Sequence, residues 1–152
     1  MDVLYYWKNF DADLKANRIG YFKSEARKLA TLRDGFPDFI WVIKTPKGRK
    51  GDVQVLGKLR WMEKAAPGVK APAAQTHIYY DSADRHSVQF MDSGTDEAIA
   101  AASDWVGRNF PNMLAANFQG AAGQEGMRGN VLKELETMAG TMKHGPFSDL
   151  IA

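Results

Sequence analysis

Residues 39–61, FIWVIKTPKGRKGDVQVLGKLRW, read as two strands joined by a basic, glycine-containing connection. Phe39 to Lys44 is apolar at successive positions, so both of its faces need cover and it belongs at the centre of a sheet. The second run alternates, with Val53, Val55, Leu59 and Trp61 on one side and Asp52, Gln54, Lys58 and Arg60 on the other. A slip of one residue would expose Trp61 to water, so the register is well specified. Gly57 leaves a gap in the apolar face, which predicts a bulge or a bend of the kind that turns a barrel corner.

Working outward, Val3 to Trp7, VLYYW, is rich in strand formers. Lys8, Asn9 and Phe10 then lead into a mixed-charge stretch, DADLKANRIGYF, with turns marked at Asn17 and Gly20. Ser24 is placed to cap a short helix, EARKLATLR, whose Leu29 and Leu32 form the inward stripe. Asp34-Gly35-Phe36-Pro37 stops it before the central strand. Beyond Trp61, MEKAAPGVKAPAAQ is a proline-containing surface loop. THIYY (76–80) and SVQFM (87–91) read as a hairpin joined by DSADRH.

The remainder is helical in pattern. Ser93 or Thr95 caps a segment whose Ala98, Ile99, Ala102, Trp105 and Val106 share a face. Asn109-Phe110-Pro111 interrupts it, a short turn of helix follows over 112–118, and QGAAGQEGMRGN forms a glycine-rich bend. Val131, Leu132, Leu135, Met138, Ala139 and Met142 then recur at helical spacing up to Gly145-Pro146. The expectation is one α+β domain over 1–152: a small, mostly antiparallel β-barrel of five strands, flanked by helices, with 93–145 a mainly helical C-terminal portion packed across the barrel or plugging one end.

At 152 residues, with 45% hydrophobic and 25% charged, the chain has the composition of an ordinary soluble domain with a real core. No apolar run reaches the length of a membrane span, and the opening residues lack a basic region followed by an apolar one, so the cytoplasm is the expected compartment. With no cysteine, disulfides and thiolate chemistry are excluded. The net charge of +2 hides an asymmetry: residues 1–70 carry 15 Lys/Arg and 8 Asp/Glu, whereas 71–152 carry 5 and 10. That split suits a basic face for a polyanion, or two halves that attract one another.

The three histidines lack metal-ligand spacing, and no serine sits in a nucleophile elbow. Neither glycine-rich segment has the strand-loop-helix form and Gly-Lys-Ser/Thr ending of a phosphate-binding loop. No cofactor and no catalytic activity are therefore expected. Lys44, Lys47, Arg49 and Lys50 suit contacts to a nucleic-acid backbone, or a solubilising hairpin tip. Trp7, beside Lys8 and Asn9, could stack a base extruded from a duplex, whereas Trp41 and Trp61 lie within apolar patterns that favour the core.

Tyr5-Tyr6-Trp7-Lys8-Asn9 followed by a helix, then Phe39-Ile-Trp-Val-Ile-Lys44 and the Gly51-Asp-x-x-Val-Leu-Gly-Lys-Leu59 strand, resembles the PUA-like superfamily, above all its EVE-type members, over about residues 1–91. The resemblance implies a β-barrel with flanking helices and a pocket for a modified base. Trp7, Lys8 and Asn9 would lead to that pocket, walled by Trp41 and Trp61. It departs from the EVE pattern where Asn9-Phe10-Asp11 stands in place of a Ser-Glu-Pro-like run. The implied role is a non-catalytic reader of nucleic acid, DNA rather than RNA, in a restriction or defence setting with a nuclease or other protein partner. The alternative is a structural or interaction module, a homodimer or docking subunit, using the methionine-bearing face of 131–142.

Overall fold

The computed structural model describes residues 1–151. In chain order the strands are β1 (Asp2–Tyr6), β2 (Tyr21–Lys23), β3 (Phe39–Lys44), β4 (Gln54–Met62), β5 (His77–Asp81), β6 (Val88–Phe90), β7 (Gln124–Met127) and β8 (His144–Pro146). The helices are α1 (Phe10–Lys15), α2 (Ala26–Asp34), α3 (Asp96–Asn109), α4 (Pro111–Ala115) and α5 (Gly129–Gly140). All eight strands form one sheet with the path β2-β5-β4-β3-β1-β7, and β6 and β8 branch from β4. β1 and β3 run parallel, while the other pairings are antiparallel.

The sheet is curled into a half-barrel. β2 stands four places from β1 in the path, yet Tyr5 stacks on Phe22 with ring centroids 4.4 Å apart and donates its hydroxyl to the Lys23 carbonyl at 2.7 Å. The edge strands β2 and β7 do not pair with each other. Their seam is joined by side chains instead: Ser24 Oγ donates to Gln124 Oε1 at 2.5 Å, and Lys28 Nζ lies 3.0 Å from Glu125 Oε1.

As expected of a strand apolar throughout, β3 serves two cores. Ile40 and Val42 join Val3, Trp7, Phe22, Leu29, Leu59 and Tyr80 on one face. Trp41 and Ile43 join Leu4, Trp105, Val106, Leu135 and Met142 on the other, under α3 and α5. The α3 and α5 stripes thus cover the outside of the sheet, and Trp105 Nε1 donates to the Val131 carbonyl between them.

A bulge decides the faces of β4. Val42 pairs with Gly57 but Ile43 pairs with Val55, so Leu56 is the extra residue. The alternation therefore inverts there: Val53 and Val55 enter the α3 core, whereas Leu56, Leu59 and Trp61 enter the other. The expectation that all four large residues share one face is corrected, although the glycine did mark the irregularity. Gly57 itself is dictated by close approach. A Cβ there would lie 2.5 Å from the Val88 carbonyl oxygen and 3.3 Å from the Phe147 ring, which fills the core beneath it.

Other expectations are also corrected. β5 and β6 do not form a hairpin with each other; both lie along β4, β5 against Arg60–Met62 and β6 against Gly57–Lys58. A nine-residue strand bent at a bulge has an edge long enough for both. Residues 10–15 are helical, Tyr21–Lys23 is a strand, and the glycine-rich bend contains β7, which pairs with β1. The segment 93–145 is thus mainly helical but returns a strand to the sheet.

Changing Gly57 to Ala should destabilise the protein by roughly 1–3 kcal/mol in urea unfolding, since backbone rather than a flexible tip must move. Wild-type stability would contradict the close approach. Buried Asp2 gives a second, pH-linked test. Burial raises its pKa, opposed by donors from Trp41 Nε1 and the Phe39 backbone. A raised value means that its ionisation disfavours the folded state as pH climbs from the unfolded carboxylate value, about 3.9, through the folded one. The stability of Asp2→Asn relative to wild type should therefore increase with pH across that window in thermal melts; a flat or falling difference would contradict the assignment.

Candidate functional site

Parallel β1 and β3 end side by side, and beyond those ends the chain departs in two directions. From β1 it runs through Trp7, Lys8 and Asn9 into α1; from β3 it runs into the basic loop 45–53. Three adjoining concavities occupy this end of the sheet, of about 410, 210 and 600 Å³. All three are lined by Tyr6; the first and third share Asn117 and Phe118, and the first two share Lys8, Asn9 and Lys23.

The aromatic wall shared by the first and third is the Tyr6–Phe118 pair, stacked at 4.4 Å with an interplanar angle of 5°. Two successive non-glycine residues in the left-handed region, Asn117 (φ 52°) and Phe118 (φ 56°), turn the chain so that this ring lies on Tyr6. A bulky residue there costs on the order of 1 kcal/mol or more, held by the packing around it. Gly123 permits the turn: a Cβ would stand 2.6 Å from the Phe118 carbonyl oxygen and 3.4 Å from Tyr6 Cβ.

The floor of the 410 Å³ concavity is polar and lies at the β2–β7 seam. Gln124, only 5% exposed, accepts from Ser24 through its oxygen, and among the described residues its nitrogen has no protein partner. Ser24 was expected to cap α2. That position belongs to Glu25, whose carboxylate accepts from the Arg27 and Lys28 backbone at 3.0 and 2.9 Å, leaving the serine hydroxyl for Gln124. These two backbone donors, Lys28 first, pull the Glu25 pKa below its ordinary value.

The expected base-binding residues separate. Lys8 and Asn9 are exposed and line two of the concavities. The Trp7 indole is 2% exposed, enclosed by Phe10, Phe22, Tyr80 and Phe147, with Nε1 donating to Asp13 Oδ2 at 2.8 Å. It touches the edge of the 210 Å³ concavity but has no free face, so the open stacking platform is corrected to a core ring. Trp41 and Trp61 lie in different cores on opposite faces of the sheet and cannot wall one pocket.

Among the basic residues, Lys47 and Lys50 line the 600 Å³ concavity. Lys44 lies over the Phe10 ring, 5.2 Å from its centroid. Arg49 is held by Asp96 at 2.8 Å and Asp52 at 3.0 Å, which also raise its pKa, so it is not a free phosphate contact. Lys8, Lys23, Lys47 and Lys50 have no carboxylate within ion-pair distance among the described residues. Sequence reasoning missed Lys23, Phe118 and Gln124. A glycine-rich composition hid the strand that brings Gln124 inward, and only the fold places residue 118 against residue 6.

Because the Glu25 pKa is lowered, its capping contribution is present above the unfolded carboxylate value, about 4.3, and is lost as pH falls through the folded one. Glu25→Gln should lower the melting temperature at neutral pH, with the deficit shrinking on acidification to about pH 3. A deficit that persists unchanged in acid would assign the effect to something other than the charge.

Comparison with protein-family models, with curated proteins and with solved structures returns no match for this chain.

Proposed function

We propose that this chain is a non-catalytic nucleic-acid-binding module whose strand runs along the concavities at the carboxyl ends of β1 and β3. The observation that carries the reading is the placement of four lysines without carboxylate partners among the described residues, Lys8, Lys23, Lys47 and Lys50, around concavities that also present a stacked aromatic pair and a buried carboxamide. The two nearby carboxylates are engaged, Asp13 by Arg18 and Trp7 and Glu25 by backbone N–H groups. Lysines free of such partners neutralise phosphates and release counterions.

The 410 Å³ concavity falls in the size range of small-ligand pockets, about 300–1,000 Å³. An extruded base fits this reading, with Gln124 and Asn9 at its edge and Tyr5 and Tyr6 beside it. A PUA-like, EVE-type domain that reads a modified base in DNA within a restriction or defence system is the finer form of the proposal. The interaction-module alternative rests on the methionine-bearing face of 131–142. That face packs inward on the α3 core, with Leu135, Ala139 and Met142 buried and Met138 packed against them, so it lends that alternative no support.

The reading is tested by fluorescence anisotropy with duplexes carrying plain, methylated or hydroxymethylated cytosine, titrated at several salt concentrations. Affinity should fall with salt, and changing Lys8, Lys47 and Lys50 together to Gln should weaken binding to every duplex and reduce the log–log salt slope by roughly two to three. Gln124→Ala should leave that slope unchanged while reducing any preference among the bases. Absence of binding at low salt, or binding insensitive to salt, would overturn the proposal.

A further inference from the structure

A fourth cleft, of about 380 Å³, shares no lining residue with the proposed strand-binding groove. It lies between the β4–β6–β8 branch and α5. Lys58, Arg85, His86 and His144 surround it, Glu136 is its one carboxylate, and Val88 and Phe90 give it an apolar wall. Lys58 is half-buried and its Nζ rests 4.2 Å from the Phe39 ring centroid and 5.3 Å from that of Trp41. Its field reaches buried Asp2, but it makes no ion pair, and Arg85 makes none either, among the described residues.

The cationic rim is built on a fixed loop. In the connection between β5 and β6, the Asp81 and Asp84 carboxylates accept from the Ala83 and His86 backbone at 2.9 and 2.8 Å. Ser87 Oγ donates to the Asp81 carbonyl at 2.5 Å and accepts from the Arg60 backbone at 2.9 Å, which fastens the loop to β4. Arg60 holds Asp84 at 3.7 Å, and His86 Nδ1 lies 3.3 Å from both the Arg60 guanidinium and Asp84 Oδ1. Arg85 and His86 are therefore presented from a loop already ordered by these polar contacts, so a ligand need not order it.

We infer that this cleft is a second, separate binding site, which takes a small phosphate monoester with a compact apolar body. Lys58 and Arg85 meet the phosphate, His86 and His144 stand at the rim as further polar contacts, and Val88 and Phe90 receive the body. Two cations without an ion-pair partner among the described residues, beside a single exposed lining acid, favour a dianion over a carboxylate. The Phe39 and Trp41 faces hold the Lys58 ammonium in place without neutralising it, since an aromatic quadrupole attracts a cation but carries no net charge.

The test uses the full chain and four probes, phenyl phosphate, inorganic phosphate, benzoate and benzyl alcohol, followed through the His86 and His144 imidazole resonances by NMR. Phenyl phosphate should give saturable shifts at both, more tightly than inorganic phosphate or benzoate, and benzyl alcohol should give none. Arg85→Gln, on an exposed loop, and Lys58→Gln should each weaken phenyl phosphate binding by roughly tenfold to a hundredfold. The combined Lys8, Lys47 and Lys50 change to Gln should leave it untouched. The inference is overturned by the absence of saturable shifts, by wild-type affinity in both single variants, by benzoate or benzyl alcohol binding as well as the phosphate ester, or by loss of binding in the triple lysine variant. Because the triple variant reports on the groove alone, failure here and failure of the strand-binding reading are distinguishable.

Discussion

The constraint on which the structure depends is the two-sided burial of β3. Ile40 and Val42 face one way, Trp41 and Ile43 the other, and all four are buried. A strand of this kind cannot lie against solvent, so the chain must supply cover twice. It does so in two instalments. Parallel pairing of β1 with β3 requires a crossover, and that crossover carries α1, β2 and α2. Its Phe22, Leu29 and Leu32 fill the first core. The chain after β6 then supplies α3, α4 and α5 for the second.

The bulge at Leu56 follows from the same demand. Before it, β4 faces its large residues toward α3; after it, toward the interior of the curl. One strand thereby contributes to both cores, and the local increase in twist helps the sheet bend round toward β2. The missing side chain at Gly57 admits the Phe147 ring, so a residue 90 positions downstream depends on a gap in β4. Phe147 also donates its backbone N–H to the Ser87 carbonyl, tying the last turn to the β6 branch.

The groove is a by-product of this construction. At the carboxyl ends of two parallel strands the backbone diverges, leaving space that neither core fills. The edges β2 and β7 come near each other without a backbone ladder, and an unpaired seam leaves room for side-chain chemistry, here Ser24 and Gln124. Charge follows the same geography. Arg49 and Lys28, from the basic half, pair with Asp96 and Glu125 from the acidic half. Among the described residues, the lysines at the divergent ends find no such partner. Both senses of the charge asymmetry, mutual attraction and a residual basic surface, therefore occur in one molecule.

Much of the local structure was legible along the chain. Periodicity marked β1, β3, β4, α2, α3 and α5, and the glycine at 57 marked the irregularity in β4, because those features depend on neighbouring residues and on which faces are apolar. Short elements escaped: β2, β7 and β8 have three or four residues each, too few for alternation to register. The roles of particular side chains escaped for a different reason. Lys8 and Asn9 were recognisable as exposed polar residues beside the end of a strand, but the enclosure of Trp7 depends on Phe10, Phe22, Tyr80 and Phe147 arriving from four parts of the chain.

The sequence by itself determined that a two-faced strand must sit at the centre of an α+β fold, with basic residues concentrated in its first half. Tertiary structure decided that Trp7 is sealed, that Trp41 and Trp61 look in opposite directions, that Arg49 is neutralised, and that Ser24 meets Gln124 across 100 residues. The division has a physical cause. Burial patterns are periodic and repeat within a few residues, whereas which ring covers which, and which charge finds a partner, depends on contacts between segments whose separation along the chain carries no trace of their proximity in space.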